Sequence, residues 1–184
     1  MMEAVEQRSD TELILAIKAG DRDALAALVG RHQRAAIRVA AVALGSPDAA
    51  DDVAQEAFVK LYHSIERFRI GERVEPWLFR IVTNTARNRL RSETRQRALQ
   101  VRAAAQVAIN PPGPDEVVVH GDDRQQMIAA IGRLRFEDRL ILTYRWFEEM
   151  TEAEMAAALQ CRPGTVKSRL NRAMVRLRAE LGES

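Results

Sequence analysis

The sequence predicts an all-α protein made of two small helical domains that a flexible linker joins. Apolar residues recur at three- and four-residue spacing along most of the 184 residues, which is the pattern of amphipathic helices. The only stretch that could suggest a strand is the short run 117–119. Residues 110–114 hold three Pro and one Gly, which disfavours a helix. We therefore predict domains at 1–96 and 121–184, with the linker at 97–120.

Four helices are expected in the first domain. Short acidic residues before periodic apolar stretches are candidate N-caps, and here they are Asp10, Asp21 and Asp48. The first of them opens a helix that Gly20 interrupts. A second helix is expected at 31–44, ending at the turn signal 45–47. A fourth helix starts near Pro76, which suits a first-turn position, and runs into an Arg-rich stretch.

The second domain contains the most informative local pattern. Helices are expected at 124–134, 136–147, 151–159 and 163–181, and the turn at 160–162 makes the last two a candidate helix-turn-helix. The final helix has one apolar stripe and a basic remainder, so its first residues could reach base edges while later cations meet phosphates. An amphipathic surface helix with a basic exterior is the alternative interpretation.

Composition excludes several classes of protein. A single Cys rules out a disulfide framework and a thiolate metal cage. The longest apolar run, 39–44, is far shorter than the roughly 20 residues of a membrane span. The N-terminus carries Glu3 and Glu6 in place of a basic signal region. A cytoplasmic protein without membrane contact is expected, and no cofactor or metal is expected either.

Charge is unevenly distributed although the formal net charge is only +2. Residues 87–102 hold six Arg and one acid, and residues 162–178 hold five Arg, one Lys and no acid. Two separate basic stretches indicate two surfaces for a polyanion, whereas the acidic patch around Asp51 suits a basic protein partner. Solvated helix faces would produce similar charge runs.

Residues 75–91 carry a second pattern that is compatible with nucleic acid. Arg and Asn recur at three- and four-residue spacing on one face, at Arg80, Asn84, Arg87, Asn88 and Arg91. Neighbouring aromatic residues, Phe68 and Phe79, could stack on bases while amides read base edges and guanidinium groups hold the backbone. The pattern fits a single-strand binder, and a solvated helix face remains an equal alternative.

Four stretches in this order resemble the small extracytoplasmic-function (ECF) sigma factors of bacterial RNA polymerase. They are DTELILAIKAGDRDALAALV from residue 10, ADDVAQEAFVKLYHSI from residue 50, PWLFRIVTNTARNRLR from residue 76 and RPGTVKSRLNRAMVRLR from residue 162. The resemblance covers nearly the whole chain. It implies that region two binds the polymerase clamp and melts the minus-ten promoter element, and that region four reads the minus-35 element.

The resemblance also implies residue roles. The positions matching the surfaces that bind the polymerase clamp coiled coil and flap are Asp52, Gln55 and Glu56, then Leu134, Leu140 and Tyr144. The positions matching minus-ten DNA contacts are Phe68, Arg69, Arg80, Asn84, Arg87, Asn88 and Arg91, with 68–74 as the loop that captures a flipped base. The positions matching the minus-35 reading helix are Thr165, Lys167, Ser168, Arg169 and Arg172.

Some positions depart from the family pattern. Arg135 stands where Pro is usual, Gln160 where Gly is usual, and Asn88 where Asp is common. The first two departures predict a locally different helix entry and turn. The resemblance further implies an anti-sigma factor as a separate partner.

Other classes of function explain less of the sequence. A stand-alone helix-turn-helix regulator would account for the second domain, but not for the Asn/Arg face or the acidic helix before it. A helical bundle that only binds protein would leave both basic helices without a role. Catalysis lacks a motif, since the three His are scattered and no Gly-rich phosphate loop occurs. Asp51, Asp52 and Glu56 could hold Mg²⁺, but an acidic partner-binding face is favoured.

Overall fold

The computed structural model describes residues 8–104 and 123–182, which contain helices and no strand. The first bundle consists of α1 (Asp10–Lys18), α2 (Arg22–Leu44), α3 (Ala50–His63), a 3₁₀ turn (Ile65–Arg67) and α4 (Val74–Ala104). The second bundle consists of α5 (Asp123–Arg133), α6 (Phe136–Trp146), α7 (Glu152–Leu159) and α8 (Pro163–Glu180). The predicted all-α class is confirmed for these residues.

The helix starts of the first bundle depend on local side-chain bonds that the sequence indicated only in part. The Asp21 carboxylate accepts hydrogen bonds from the N–H groups of Asp23 and Ala24, so its predicted N-cap role is confirmed. The prediction for Asp10 was wrong by one residue, because Ser9 forms a capping box with Glu12. Asp48 does not cap α3, whose N-cap, Ala49, makes no side-chain bond.

Helix α2 is longer than expected, since it runs unbroken for 23 residues from Arg22. Apolar side chains along one of its sides are fully buried, including Leu28 and Val39. It ends at Gly45, whose φ of 78° lies in the left-handed region where glycine carries no Cβ penalty. Helices α1, α3 and α4 all pack against α2, which makes it the centre of the first bundle.

The second bundle contains the predicted helix-turn-helix. Thr151 and Glu154 form a capping box that starts α7, and Arg162 with Pro163 starts α8. Between the two helices, Gln160 takes up φ 52° and ψ 45°, a left-handed conformation. The buried residues Val166, Ala173 and Leu177 turn the apolar stripe of α8 towards the other helices.

Helix α4 extends past the predicted domain boundary, because residues 97–104 continue it. The rest of the predicted linker, residues 105–122, lies outside the described residues, and so does the candidate strand at 117–119.

The two bundles contact each other along two pairs of helices, α2 with α6 and α4 with α7. A further contact joins α6 to α4, because Tyr144 on α6 is fully buried with its ring stacked on that of Phe79, at 5.7 Å between centroids. Its hydroxyl lies 2.6 Å from the hydroxyl of Thr83 on α4. Arg139 on α6 donates to the carbonyls of Val42 and Ala43, near the C-terminus of α2. A cation at that end interacts favourably with the negative pole of the helix dipole.

Candidate nucleic-acid and polymerase interface

The loop between the 3₁₀ turn and α4 is held in place by contacts of its first residue and by a lysine that is distant in the sequence. Phe68 begins this loop and is buried, with its ring 5.0 Å from that of Trp77. The ammonium group of Lys18 donates to the carbonyls of Glu66 and Phe68, at 3.3 Å in each case. Lys18 therefore positions the loop, and its separation of 48 and 50 residues from these partners left no signal in the sequence.

The tip of this loop is open and basic. Arg69 is 85% exposed and lies 3.7 Å from Glu72, while Ile70 is also exposed. Gly71 adopts φ 92°, which a side chain would strain. Arg73 donates to Glu75 at the start of α4, and this hydrogen bond raises the pKa of its guanidinium. The loop thus presents cations and one apolar side chain, which is a suitable lining for a nucleotide.

A cavity of about 590 Å³ opens beside the loop. Its walls include Phe68, Arg73, Trp77 and Arg80 from the first bundle, and Glu154 from the second. The cavity is large enough for a nucleobase, and six charged side chains line it, four from Arg and two from Glu. Asn84, which the resemblance places beside a base-binding pocket, does not line this cavity.

The predicted Asn/Arg face is present along α4. Arg80, Asn84 and Arg87 are half-buried, and Asn88 and Arg91 are exposed on the following turn. The predicted aromatic platform is not available: Phe79 is fully buried under Tyr144, and Phe68 is 5% exposed. These two rings build the core in this arrangement, so stacking on bases would fall to groups at the loop tip or to the guanidinium planes.

The acidic helix α3 presents its predicted residues to solvent. Asp52, Gln55 and Glu56 are all exposed, and Asp52 keeps 70% of its side-chain surface open although Arg89 lies 3.7 Å away. On the same helix Val59 and Tyr62 are 56% and 44% exposed. The exposure of this apolar pair was not predicted from the sequence, and the pair would add apolar contact area to an otherwise polar face.

Helix α8, the predicted recognition helix, leaves the residues predicted to read DNA exposed or half-buried. Lys167, Ser168 and Arg172 are exposed, while Thr165 and Arg169 are half-buried next to them. Further along, Arg176 forms an ion pair with Asp138 at 2.5 Å, which ties α8 to α6. The first turns of α8 are therefore available for a DNA groove, and its later turns hold the bundle together.

The residues predicted to meet the polymerase flap lie in the interior. Leu134 is 5% exposed, and Leu140 and Tyr144 are completely buried. Burial raises the pKa of the Tyr144 hydroxyl well above its ordinary value of 10.0, so this group is neutral and pairs with Thr83. A partner could reach Tyr144 only after the two bundles separate.

One group of side chains could be mistaken for a metal site. The side-chain N and O atoms of Asp10, His32 and Glu75 that could bind a metal lie within 4.8 Å of one another. These residues are far apart in the sequence, so no local motif indicates the cluster. The carboxylate of Asp10 pairs with His32 at 2.8 Å and with Arg31, and Arg73 lies 3.2 Å from Glu75. Burial opposes the charge of Asp10, but these partners outweigh it and lower the pKa of that carboxyl. An ion-pair network accounts for the cluster.

Two basic helices, one of them in a helix-turn-helix, and one exposed acidic helix are typical of helical transcription factors that contact both DNA and another protein. Comparison with known proteins gives the family. Residues 28–96 match the model of Sigma-70 region 2, and residues 124–177 match that of Sigma-70, region 4. The chain belongs to the ECF family of RNA polymerase sigma factors.

Relatives support this assignment over nearly the full length. The ECF RNA polymerase sigma-E factor of Escherichia coli (strain K12) is 31% identical over 176 residues, which cover 91% of this chain and 92% of that protein. The ECF RNA polymerase sigma factor SigW of Bacillus subtilis (strain 168) is 28% identical over 173 residues, with 90% and 92% covered.

Two solved structures resemble the fold. CnrH in complex with the cytosolic domain of CnrY aligns with a TM-score of 0.66 and 27% identity, covering 94% of this chain and 97% of that one. The sigma factor RpoE in complex with the anti-sigma factor NepR from Bartonella quintana aligns with a TM-score of 0.62 and 25% identity, covering 84% and 94%. Within residues 8–104 and 123–182, every helix is too short or too polar to cross a membrane.

Proposed function

We propose that this sigma factor binds core RNA polymerase through the acidic face of α3 and directs it to promoters through α4 and α8. The observation that carries the proposal is the exposure of Asp52, Gln55 and Glu56 on α3, whereas the Asn/Arg face and the second basic stretch lie on two other helices, α4 and α8. One molecule can then hold a basic protein surface and a polyanion at the same time.

Each basic surface has a role in the proposal. The loop 68–74 and the Asn/Arg face of α4 bind the melted, single-stranded minus-ten element. The first turns of α8 enter the major groove of the duplex minus-35 element, where Thr165, Lys167, Ser168, Arg169 and Arg172 contact the DNA. The proposal divides the chain as in the sequence analysis, with region two at 1–96, a connection at 97–120 and region four at 121–184.

The proposal gives this chain no catalytic role, because RNA synthesis belongs to the polymerase that it directs. It would act in the cytoplasm, where that polymerase works. An anti-sigma factor is a further proposed partner, supported by the RpoE–NepR complex among the solved structures that resemble this chain. A stand-alone helix-turn-helix regulator would need neither the acidic helix nor a region-two match, and both are present.

The acidic face can be tested with one charge reversal. Asp52→Arg would set a like charge against a basic polymerase surface, and such a juxtaposition costs several kcal/mol, so binding to core polymerase should weaken by more than about tenfold. The measurement is a fluorescence titration of labelled sigma factor with core polymerase. Asp48→Arg makes the same charge change on an exposed residue before α3 and should bind as the wild type does. Equal affinity of Asp52→Arg and wild type would contradict the assignment.

A further inference from the structure

Helix α1 lies before residues 28–96, the part of the chain that matches the region 2 family, and it is fixed to the first bundle at its start and along its middle. At its start the Asp10 carboxylate pairs with His32 of α2 at 2.8 Å. Its middle buries three apolar side chains in the core, those of Leu13, Ile14 and Ile17. A helix fixed in this way can hold a side chain at its other end in a defined place.

The last residue of α1, Lys18, reaches the start of the loop 68–74, here called the base-capture loop. Its ammonium group donates to the carbonyl of Glu66 in the 3₁₀ turn and to that of Phe68, at 3.3 Å in each case. The last carbonyls of a helical segment have no partner within it, so a donor from another helix stabilises the end of the turn. An ammonium group has three protons, and these bonds use two of them. Lys18 is therefore directed to the protein backbone.

The start of the base-capture loop is also ordered by packing, whereas its tip is open. The buried Phe68 ring lies 5.0 Å from that of Trp77. Within the loop, the N–H of Glu72 donates to the carbonyl of Arg69 at 3.2 Å. The side chains of Arg69 and Ile70 remain exposed at the tip. A loop of this kind is suited to receive a ligand, because order present before binding lowers the entropic cost of binding.

We propose that α1 supports the base-capture loop and that Lys18 is a positioning residue for the capture of a flipped base. This inference rests on the proposed function, because it uses the same loop. By fixing the carbonyls of Glu66 and Phe68, Lys18 holds the loop tip in the conformation that receives the base. Without these two bonds the loop would have to become ordered as DNA binds, and the affinity for a base would fall. Contacts with the sugar-phosphate backbone depend on other cations and would remain.

The first test separates base binding from phosphate binding. Lys18→Met keeps most of the side-chain stem and removes the donor. The control, Arg22→Met, removes the same charge from an exposed residue at the start of α2. Each full-length protein is combined with core polymerase. The probes are two fluorescein-labelled single-stranded DNAs of equal length, one of mixed sequence and one made only of abasic nucleotides, and their binding is followed by fluorescence anisotropy.

We expect Lys18→Met to bind the mixed-sequence strand roughly fivefold more weakly than the wild type does, which is the low end of what contact with one base contributes. Its affinities for the abasic strand and for core polymerase should not change. Arg22→Met should match the wild type on both strands.

Three results would overturn the positioning role of Lys18. Unchanged affinity of Lys18→Met for the mixed-sequence strand is the first. Equal weakening on both strands is the second, since it would mean that Lys18 binds a phosphate; the slope of the salt dependence would then decrease by about 0.7. Loss of core polymerase binding together with DNA binding is the third, because it would show a general effect on folding.

A second measurement follows the loop without DNA. A spin label at Ile70→Cys reports the mobility of the loop tip, and a label at Val175→Cys on α8 is the control, each in a Cys161→Ser background. Lys18→Met should narrow the electron paramagnetic resonance lines of the label at position 70, because the loop becomes more mobile. The lines of the label at position 175 should stay the same. Lines at position 70 that are as broad as in the wild type would overturn the inference.

The two measurements distinguish failure of this inference from failure of the proposed function. Wild-type holoenzyme that binds the mixed-sequence and abasic strands equally would contradict base capture, and with it the proposed role of the loop. Wild-type holoenzyme that prefers the mixed-sequence strand, with neither this preference nor the label at position 70 responding to Lys18→Met, would overturn the role of Lys18 alone.

Discussion

Gln160 carries a backbone conformation that its side chain disfavours. It ends α7 at φ 52°, and the family resemblance places glycine at this position. A left-handed conformation costs a residue with a Cβ roughly 1–2 kcal/mol. Replacing Gln160 by glycine would remove this cost, but part of the gain in stability would be lost because glycine has more conformational entropy in the unfolded chain. The turn of the helix-turn-helix therefore forms in spite of its sequence.

Gln160→Gly should accordingly raise the free energy of unfolding by about 0.5–1 kcal/mol. Urea unfolding followed by circular dichroism measures the change. The comparison variant is Ala157→Gly, at a solvent-exposed position within the same helix. This change should lower the free energy of unfolding by about 1 kcal/mol, because glycine has a low helix propensity. If both glycines lowered the stability, the strain assigned to Gln160 would be absent.

At the scale of single residues, the sequence predicted which side chains share a helix face better than it predicted their exposure. Arg80, Asn84 and Arg87 lie on one face of α4 as their spacing indicated. The aromatic residues among them were misjudged, because an aromatic side chain near a basic face can stack on a base or fill the core. The pattern does not distinguish these two cases, and Phe79 fills the core beneath Tyr144.

At the scale of elements, helix ends marked by Gly or Pro could be predicted from the sequence. It was harder to predict whether a helix continues without a break. Gly45 and Pro163 lie where α2 ends and α8 begins, as expected. The second helix was predicted to start at residue 31, whereas α2 begins at Arg22 and passes through Gly30. Packing explains the difference, since Ala24 and Leu28 before the glycine are buried together with the residues after it.

The recognition helix α8 gives a prediction at this scale. Arg169→Ala should weaken transcription from promoters with a minus-35 element by about 1–3 kcal/mol per lost base contact and leave polymerase binding intact. Run-off transcription on paired templates, with and without that element, measures the effect. Arg178→Ala removes an exposed arginine near the end of the same helix and serves as the control. An equal loss on both templates would mean that Arg169 does not read DNA.

At the scale of the whole molecule, the two bundles could be predicted and their closed arrangement could not. Each bundle follows from local periodicity, capping and one apolar stripe per helix. The contacts between bundles join residues 110 and 81 positions apart, Arg38 with Glu148 and Arg73 with Glu154. A single sequence contains no signal for such pairs, because exposed Arg and Glu are common on any helix.

The closed arrangement also connects the two activities of the molecule. Tyr144, which matches the flap-binding surface, is buried against Phe79 and Thr83, while Arg73 and Arg87 of the proposed minus-ten surface are paired with Glu154 and Glu137. Separation of the bundles would expose Tyr144 and release both Arg residues in one step. The exposed face of α3 is accessible in either arrangement, so polymerase could bind there before the bundles separate.

The central claim is that this chain gives core RNA polymerase its promoter specificity. The most direct measurement is transcription by purified core polymerase on a library of genomic fragments, with and without the chain, followed by mapping of the RNA 5′ ends. We predict new start sites that share two sequence elements at a fixed spacing, one for each basic surface. Start sites that are the same with and without the chain would contradict the claim.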